Sequence, residues 1–304
     1  IVGYYSYASS RATLLQATQR DLLTATQVLG QNYQSSMDEV GNDAQFLATV
    51  PVTGAAIGSD RSAAPRPERD ALAQTFEALL KIHPEYFQIR LISADQHGLE
   101  LVRVDRDGTG LVRVDRDGTG LVRVEGLDLQ EKAHYPYVFK TLRLKRGQVY
   151  LSDISINHEL GAHAGLLKPT LRVAAPVFNG GERAAAVVVI NIDLNRMFAK
   201  LRADLPASYQ VYLANQWGDY LVHPDATQAF GFDQGRRILV QETFESVSAL
   251  ISGTSTFVVA NVQTPAWSPG GEVAAFLRLP FGGVGEGRFV VLGLSQPMSE
   301  VVRE

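Results

Sequence analysis

From residue 9 to residue 50 the chain contains no proline, and glycine occurs there only at Gly30 and Gly41. Within that stretch Leu15, Leu22, Leu29, Tyr33, Met37, Val40, Ala44 and Leu47 recur at spacings of seven, four and three. Such spacings place apolar side chains on one stripe of a helix, so the segment predicts a single long amphipathic α-helix. About 40 helical residues at 1.5 Å each extend ~60 Å. That is longer than one globular domain needs to cover a face. The pattern suits a spine that several modules share, or a dimer seam; a core helix in a large domain is the plainer alternative. The full length of 304 residues agrees with about two domains.

Beyond a proline-containing stretch, Pro67-Glu68-Arg69-Asp70 has the proline and acids of a helix first turn. The apolar face of this second helix is Leu72, Phe76, Leu79 and Leu80, and His83-Pro84 ends it. The period then changes to two. Tyr86 to Ile92 predicts a strand, residues 94 to 98 a turn and Leu99 to Val104 a return strand. The ten residues Leu101 to Gly110 recur unchanged at Leu111 to Gly120, and Leu121-Val122-Arg123-Val124 begins a third copy. Each copy is a β segment followed by an Asp/Gly turn, which predicts an inserted hairpin arm. Two copies are too few for a solenoid. Residues 127 to 145 predict a helix distorted by Pro136. Strands follow near 150–154, 170–178 and 185–194, then a short helix at 197–201. The β pattern restarts at 209–215, 219–223, 254–262, 273–279 and 289–294. The fold class is therefore α+β: a helical spine and two modules, each with an antiparallel sheet flanked by helices.

Several function classes lack their residues. A net charge of −4 offers no basic footprint for nucleic acid. With no cysteine in the chain, thiol catalysis and cysteine metal sites are excluded. No run of 18 apolar residues occurs. His158 and His163 are five apart, whereas two ligands on one helix face need a spacing of four. Asp105-Arg106-Asp107-Gly108 and its copy at Asp115 open like a calcium loop, but the later ligands are missing. There is no G-x-S-x-G elbow or phosphate-binding glycine loop, and Gly282 to Gly287 has no lysine. The sequence thus predicts no catalytic residues, no metal ligands and no cofactor. Its opening, Ile1-Val2-Gly3-Tyr4-Tyr5 without a Met, is expected to be the cut end of a longer protein.

What stands out instead is polar residues inside strands. Arg90, Arg103 and Arg172 sit among apolar neighbours, and Asn191 and Asp193 share a strand face with Val187 and Val189. Charges in strands most often mark a solvated face. The alternative is a lined pocket, in which arginine meets an anionic ligand through a two-pronged hydrogen bond.

Taken in order, certain segments resemble the double Cache family of extracytoplasmic bacterial sensors, which are tandem PAS-like modules. They are Tyr86 to Ile92, Gly98 to Val104, Leu129-Gln130-Glu131-Lys132, Gly147 to Ile154, Pro169 to Val177 and Val189 to Leu194. In the second half Leu213 to Pro224 and Phe230-Gly231-Phe232 also fit. The resemblance covers nearly the whole chain. The wording is most similar to sensors of membrane histidine kinases, and diguanylate cyclases and chemoreceptors share the module.

The resemblance implies residues 1–66 as spine helix and linker, 67–206 as a membrane-distal module and 207–304 as a membrane-proximal one. It also implies flanking transmembrane helices in the full-length protein, a periplasmic location and a homodimer through the N-terminal helix. Ligands of the family occupy the distal module. Carried onto this chain, the pocket is Lys132, Tyr135, Tyr137, Ser152, Asp153, Arg172, Asn191 and Asp193. Lys132 and Arg172 would hold a carboxylate or similar anion while the tyrosine rings enclose an apolar body. The amino-acid-binding branch has an Arg-x-Trp-Tyr signature where this chain has His134-Tyr135-Pro136-Tyr137, and an Asp where this chain has Asn191. An α-amino-acid ligand is therefore disfavoured. The expected function is a ligand-sensing domain without catalysis. An extracytoplasmic enzyme or a calcium-dependent binding module is the alternative of another class.

Overall fold

A computed structural model describes residues 2–58, 66–106, 120–157, 168–262, 270–283 and 286–301, with side chains from residue 10 onward. Helix α1 runs Val2–Thr49, and its stripe from Leu22 to Leu47 is buried as the periodicity requires. Pro51 ends it: Val50 is held extended at φ −63° and ψ 138°, the conformation favoured before proline. Helix α2 (Pro51–Ile57) and helix α3 (Pro67–Ile82) both begin on a proline, whose missing N–H costs nothing in a first turn.

By its contacts the chain divides into residues 35–199 and residues 1–34 with 200–304. The first unit is built on an antiparallel sheet. Its strands are β1 (Tyr86–Ser93), β2 (Glu100–Arg106) and β3 (Leu121–Val124). After helix α4 (Pro136–Phe139) come β4 (Tyr150–Leu151), β5 (Ser155–Ile156), β6 (Pro169–Val177), β7 (Ala186–Asp193) and then helix α5 (Leu194–Leu201). The strand order is β3-β2-β1-β7-β6-β4, with β5 also on β6. Strands β1, β6 and β7 are buried at every residue. Both faces of the sheet are therefore covered. On the α3 side, Arg106 donates to the carbonyls of Leu80, His83 and Tyr86, and Arg123 pairs with Glu77. By alternation the opposite face carries Gln88, Arg90, Ile92, Arg172, Ala174, Val187, Val189 and Asn191.

The second unit has the strand order β10-β11-β12-β8-β9. Its strands are β8 (Gln210–Ala214) and β9 (Tyr220–Val222), then β10 (Phe257–Val262), β11 (Glu272–Pro280) and β12 (Phe289–Pro297) after helices α6 (Val240–Thr243) and α7 (Ser248–Ser252). Helix α8 (Met298–Val301) follows. Tyr212, Tyr220, Phe276 and Val291 of the sheet meet Val240, Phe244, Val247 and Leu250 in one apolar core. Gly30 has a steric reason to stand inside α1: a Cβ there would lie 3.2 Å from the Leu277 side chain. No helix among the described residues is long and apolar enough to cross a membrane.

Two expectations need correction. The arginines in strands do not form a solvated face: Arg90, Arg103 and Arg172 are 1%, 3% and 7% exposed. Residues 127–145 are not one helix. Only α4 and single 3₁₀ turns at Gly126–Asp128 and Thr141–Arg143 form there. Pro136 holds Tyr135 extended, and the backbone of 130–133 is drawn off to hydrogen bond with residues 97–100. Of the repeated segment, Arg103–Arg106 and Leu121–Val124 pair antiparallel, with Arg103 opposite Val124 and Val104 opposite Arg123. Residues 107–119 lie outside the described residues. The expected hairpin arm, with Asp107 and Asp115, falls there, as His158 and His163 fall in another such stretch.

Candidate ligand-binding site

The polar end of the buried sheet face is organised around Arg90. Its guanidinium donates to Glu100 Oε1 (3.3 Å), the Tyr137 hydroxyl (3.1 Å) and Asn191 Oδ1 (3.2 Å). Asn191 Nδ2 donates to Gln88 (3.0 Å), and Gln88 donates to Asp105 (2.9 Å). Arg103 closes the ring by donating to Asp105 through Nε and Nη2 (2.9 and 2.7 Å) and to Glu100 through Nη1 (3.4 Å). Six side chains thus form one closed hydrogen-bonded cycle across β2, β1 and β7. Burial works against the charge of Arg103, but Asp105 and Glu100 prevail and hold its pKa above the ordinary arginine value. In such a network each member orients the next.

A β-bulge makes this geometry available. Arg90 faces Arg103 and Ile92 faces Glu100, with the register shifting between Leu91 and Ile92. The extra residue in β2 brings Glu100 onto the face of Arg103, although three positions separate them.

Beside the ring, two tyrosines link the cations. The Tyr135 and Tyr137 rings are stacked 5.4 Å apart. Lys132 Nζ sits 5.0 Å from the centroid of Tyr135, and Arg90 and Arg172 sit 5.0 and 5.4 Å from that of Tyr137. Cations over such rings are attracted by the ring quadrupole. Arg172 also donates to Asn157 Oδ1 (2.9 Å) and Ser155 Oγ (3.4 Å). The apolar end of the same face is Ile92, Ala174, Val187 and Val189 under Tyr137 and Val138, with Tyr135 and Tyr150 against them.

Lys132 is placed by a strained turn. Gln96, His97 and Gly98 have φ values of 54°, 56° and 71°. The carbonyls of His97 and Gly98 accept from Ala133 N (3.0 Å) and Lys132 N (2.8 Å). A Cβ on Gly98 would lie 2.4 Å from the Ala133 nitrogen, so only glycine fits.

Of the eight residues expected from sequence, Lys132, Tyr135, Tyr137, Arg172 and Asn191 come together. Ser152 lies alongside, where its hydroxyl accepts from the Arg172 backbone N–H (2.9 Å) and donates to the Asp153 carbonyl (2.8 Å). The Asp153 side chain is exposed. Asp193 serves α5: Oδ1 accepts from the backbone N–H groups of Asn195 (3.0 Å) and Arg196 (3.3 Å), the geometry of an N-cap. Gln88, Arg90, Glu100, Arg103, Asp105 and Asn157 were not on the expected site. Arg90 was legible as a charge inside an apolar strand, with Gln88 two residues earlier on the same face. Glu100 was not, because a bulge leaves no mark in the alternation.

The long helix, the two antiparallel sheets and the buried polar face together define a two-module α+β domain. The family model for the bacterial histidine kinase sensor domain matches residues 62–242, and the chain belongs to that family. The extracellular domain of vpHK1S-Z8, assigned to a histidine kinase, superimposes with TM-score 0.72 at 16% identity, over 96% of this chain and 95% of that one. A Vibrio parahaemolyticus domain assigned to the sensory box/GGDEF family gives TM-score 0.71 at 16% identity, over 95% and 99%. The periplasmic sensory domain of the Campylobacter jejuni chemoreceptor Tlp1 gives 0.61 at 14%, over 95% and 98%. No curated protein matches the chain. At these identities the solved structures establish the fold, which is consistent with a Cache-type sensor.

Proposed function

We propose that this chain is the extracytoplasmic, non-catalytic ligand-sensing domain of a transmembrane receptor, a sensor histidine kinase, and that it binds a small anionic molecule. The module of residues 67–206 is the ligand-binding one. The observation that carries the ligand class is the pair of buried cations, Lys132 and Arg172, one against the ring of Tyr135 and the other against that of Tyr137, which stack on each other. Carboxylates on this face already serve other groups: Glu100 and Asp105 serve Arg90 and Arg103, and Asp193 caps α5. Asn191 is engaged through both its oxygen and its nitrogen. A ligand ammonium would have to share a carboxylate that already serves another group, which counts against an α-amino acid. An anion instead adds to Arg172 and Lys132, and its apolar part can lie on the tyrosine rings.

Signalling requires that the ligand bind two conformations unequally. In our reading, closure over the sheet face is passed to α1 and through it to a second copy of the chain. Val28 and Phe46 support the dimer. They are 47% and 58% exposed on α1, and their spacing of 18 equals five turns at 3.6 residues, which puts both on one helix face. The same module serves diguanylate cyclases and chemoreceptors, which is the second reading of the output.

The test is a thermal-shift screen against small carboxylates, amines and sugars, repeated with Arg172→Ala. A ligand at ~100 times its dissociation constant stabilises by about 2.7 kcal/mol. A shift with a carboxylate that Arg172→Ala abolishes is the expected result. Shifts with amines alone, or shifts unaffected by the substitution, would overturn the anionic reading.

A further inference from the structure

We propose that the pocket between the 142–147 turn and the β6–β7 connection is a second, separate site, for a small oxyanion carrying two or more negative charges. The pocket has a volume of about 430 Å³, and its walls carry four cations, Arg143, Lys145, Arg146 and Arg183, against one acid, Glu182. Among the described residues, none of these four cations is in an ion pair. A local excess of three positive charges in a chain of net charge −4 is not a reflection of composition.

The cations stand on a fixed frame. Gln45 of α1 donates to the Gly147 carbonyl (2.6 Å). The turn is braced within itself, Gln148 N donating to the Lys145 carbonyl (3.1 Å) and Lys145 N to Gln148 Oε1 (2.8 Å). Arg146 joins the two walls: it donates to the Gly181 carbonyl (3.0 Å) and its guanidinium lies 4.3 Å over Phe178. Arg143 lies 6.0 Å over Phe139. Like charges fixed on a short turn repel one another, and a bound oxyanion replaces that repulsion with charge-assisted hydrogen bonds to guanidinium forks. A single negative charge would leave most of the excess in place, so the geometry favours a multiply charged ion.

The experiment is calorimetric titration of the chain with sodium pyrophosphate at low and high salt. The wild-type protein should bind one equivalent saturably, weaken with salt, and lose at least about tenfold in affinity in Arg143→Gln/Arg183→Gln. Arg172→Ala, in the sheet-face site, should leave this binding intact. Amide shift mapping of the wild-type chain with pyrophosphate gives a readout free of any folding effect, expected at 142–147 and 178–184. No saturable binding, binding undiminished in the double variant, or shifts confined to other residues would overturn the proposal. Loss in Arg172→Ala alone would place the anion on the sheet face instead.

Discussion

Arg90 and Arg103 stand directly opposite each other on neighbouring antiparallel strands, two buried guanidinium groups in register. Glu100 makes this tolerable. Its two oxygens accept one from each arginine, at 3.3 and 3.4 Å. A buried ion pair contributes little net stability, but removing one partner leaves an uncompensated buried charge. Glu100→Gln should therefore cost about 3–5 kcal/mol. Chemical denaturation measures it, and a cost below ~1 kcal/mol would show that Glu100 is not the bridge.

Gly98→Ala should weaken ligand binding without touching the ligand. The new Cβ meets the Ala133 backbone, and the turn that carries Lys132 must move. Positive φ adds strain for any side chain. Calorimetry should show reduced affinity together with a lowered melting temperature. Unchanged affinity would mean that Lys132 is positioned by something other than this turn.

Asp193→Ala should separate capping from ligand contact. Loss of an N-cap typically costs about 1 kcal/mol, and Asn195 and Arg196 lose their acceptor. Melting should fall while affinity for the anion holds. A loss of affinity as large as that of Arg172→Ala would return Asp193 to the ligand.

Stability should fall with pH through the range of His223. Burial lowers this imidazole from 6.5 to about 4, with Asp225 opposing the shift. Its Nδ1 lies 2.9 Å from the Asp225 backbone nitrogen, which suits a neutral ring accepting that N–H. Between the two values the unfolded chain binds the extra proton, so stability declines as pH drops from about 6.5 to about 4 and levels off below. The melting temperature of His223→Gln should change less over that window than that of the wild type. Parallel curves for the two proteins would refute the assignment.

Val28→Glu/Phe46→Glu tests the dimer face of α1. Both side chains are exposed, so the fold should survive while sedimentation shows a monomer in place of a dimer. An unchanged mass would place the interface elsewhere.

Much of this fold is written in the local pattern of the chain. Helix α1 follows from an uninterrupted stripe, since a 3.6-residue period over some 40 positions has no other use. Strands β1, β6 and β7 were visible as largely apolar runs between turns, and α3 from its proline and acidic first turn. Lys132, Tyr135, Tyr137 and Arg172 came from segment order, which the resemblance aligned. Tertiary structure alone decided the rest, because the remaining features depend on partners distant in sequence. Whether Arg90 and Arg103 meet solvent or each other depends on what covers the sheet, and local pattern does not carry that. Glu100 reached its face through a bulge that breaks strict alternation. Asp193 became the cap of α5 because the helix after it begins three residues before its apolar pattern does. Residues 127–145 lost their helix because Pro136 holds Tyr135 extended and the backbone of 97–100 takes the hydrogen bonds of 130–133. Periodicity reports which side of an element is buried; only the packed chain settles which charges that burial brings together.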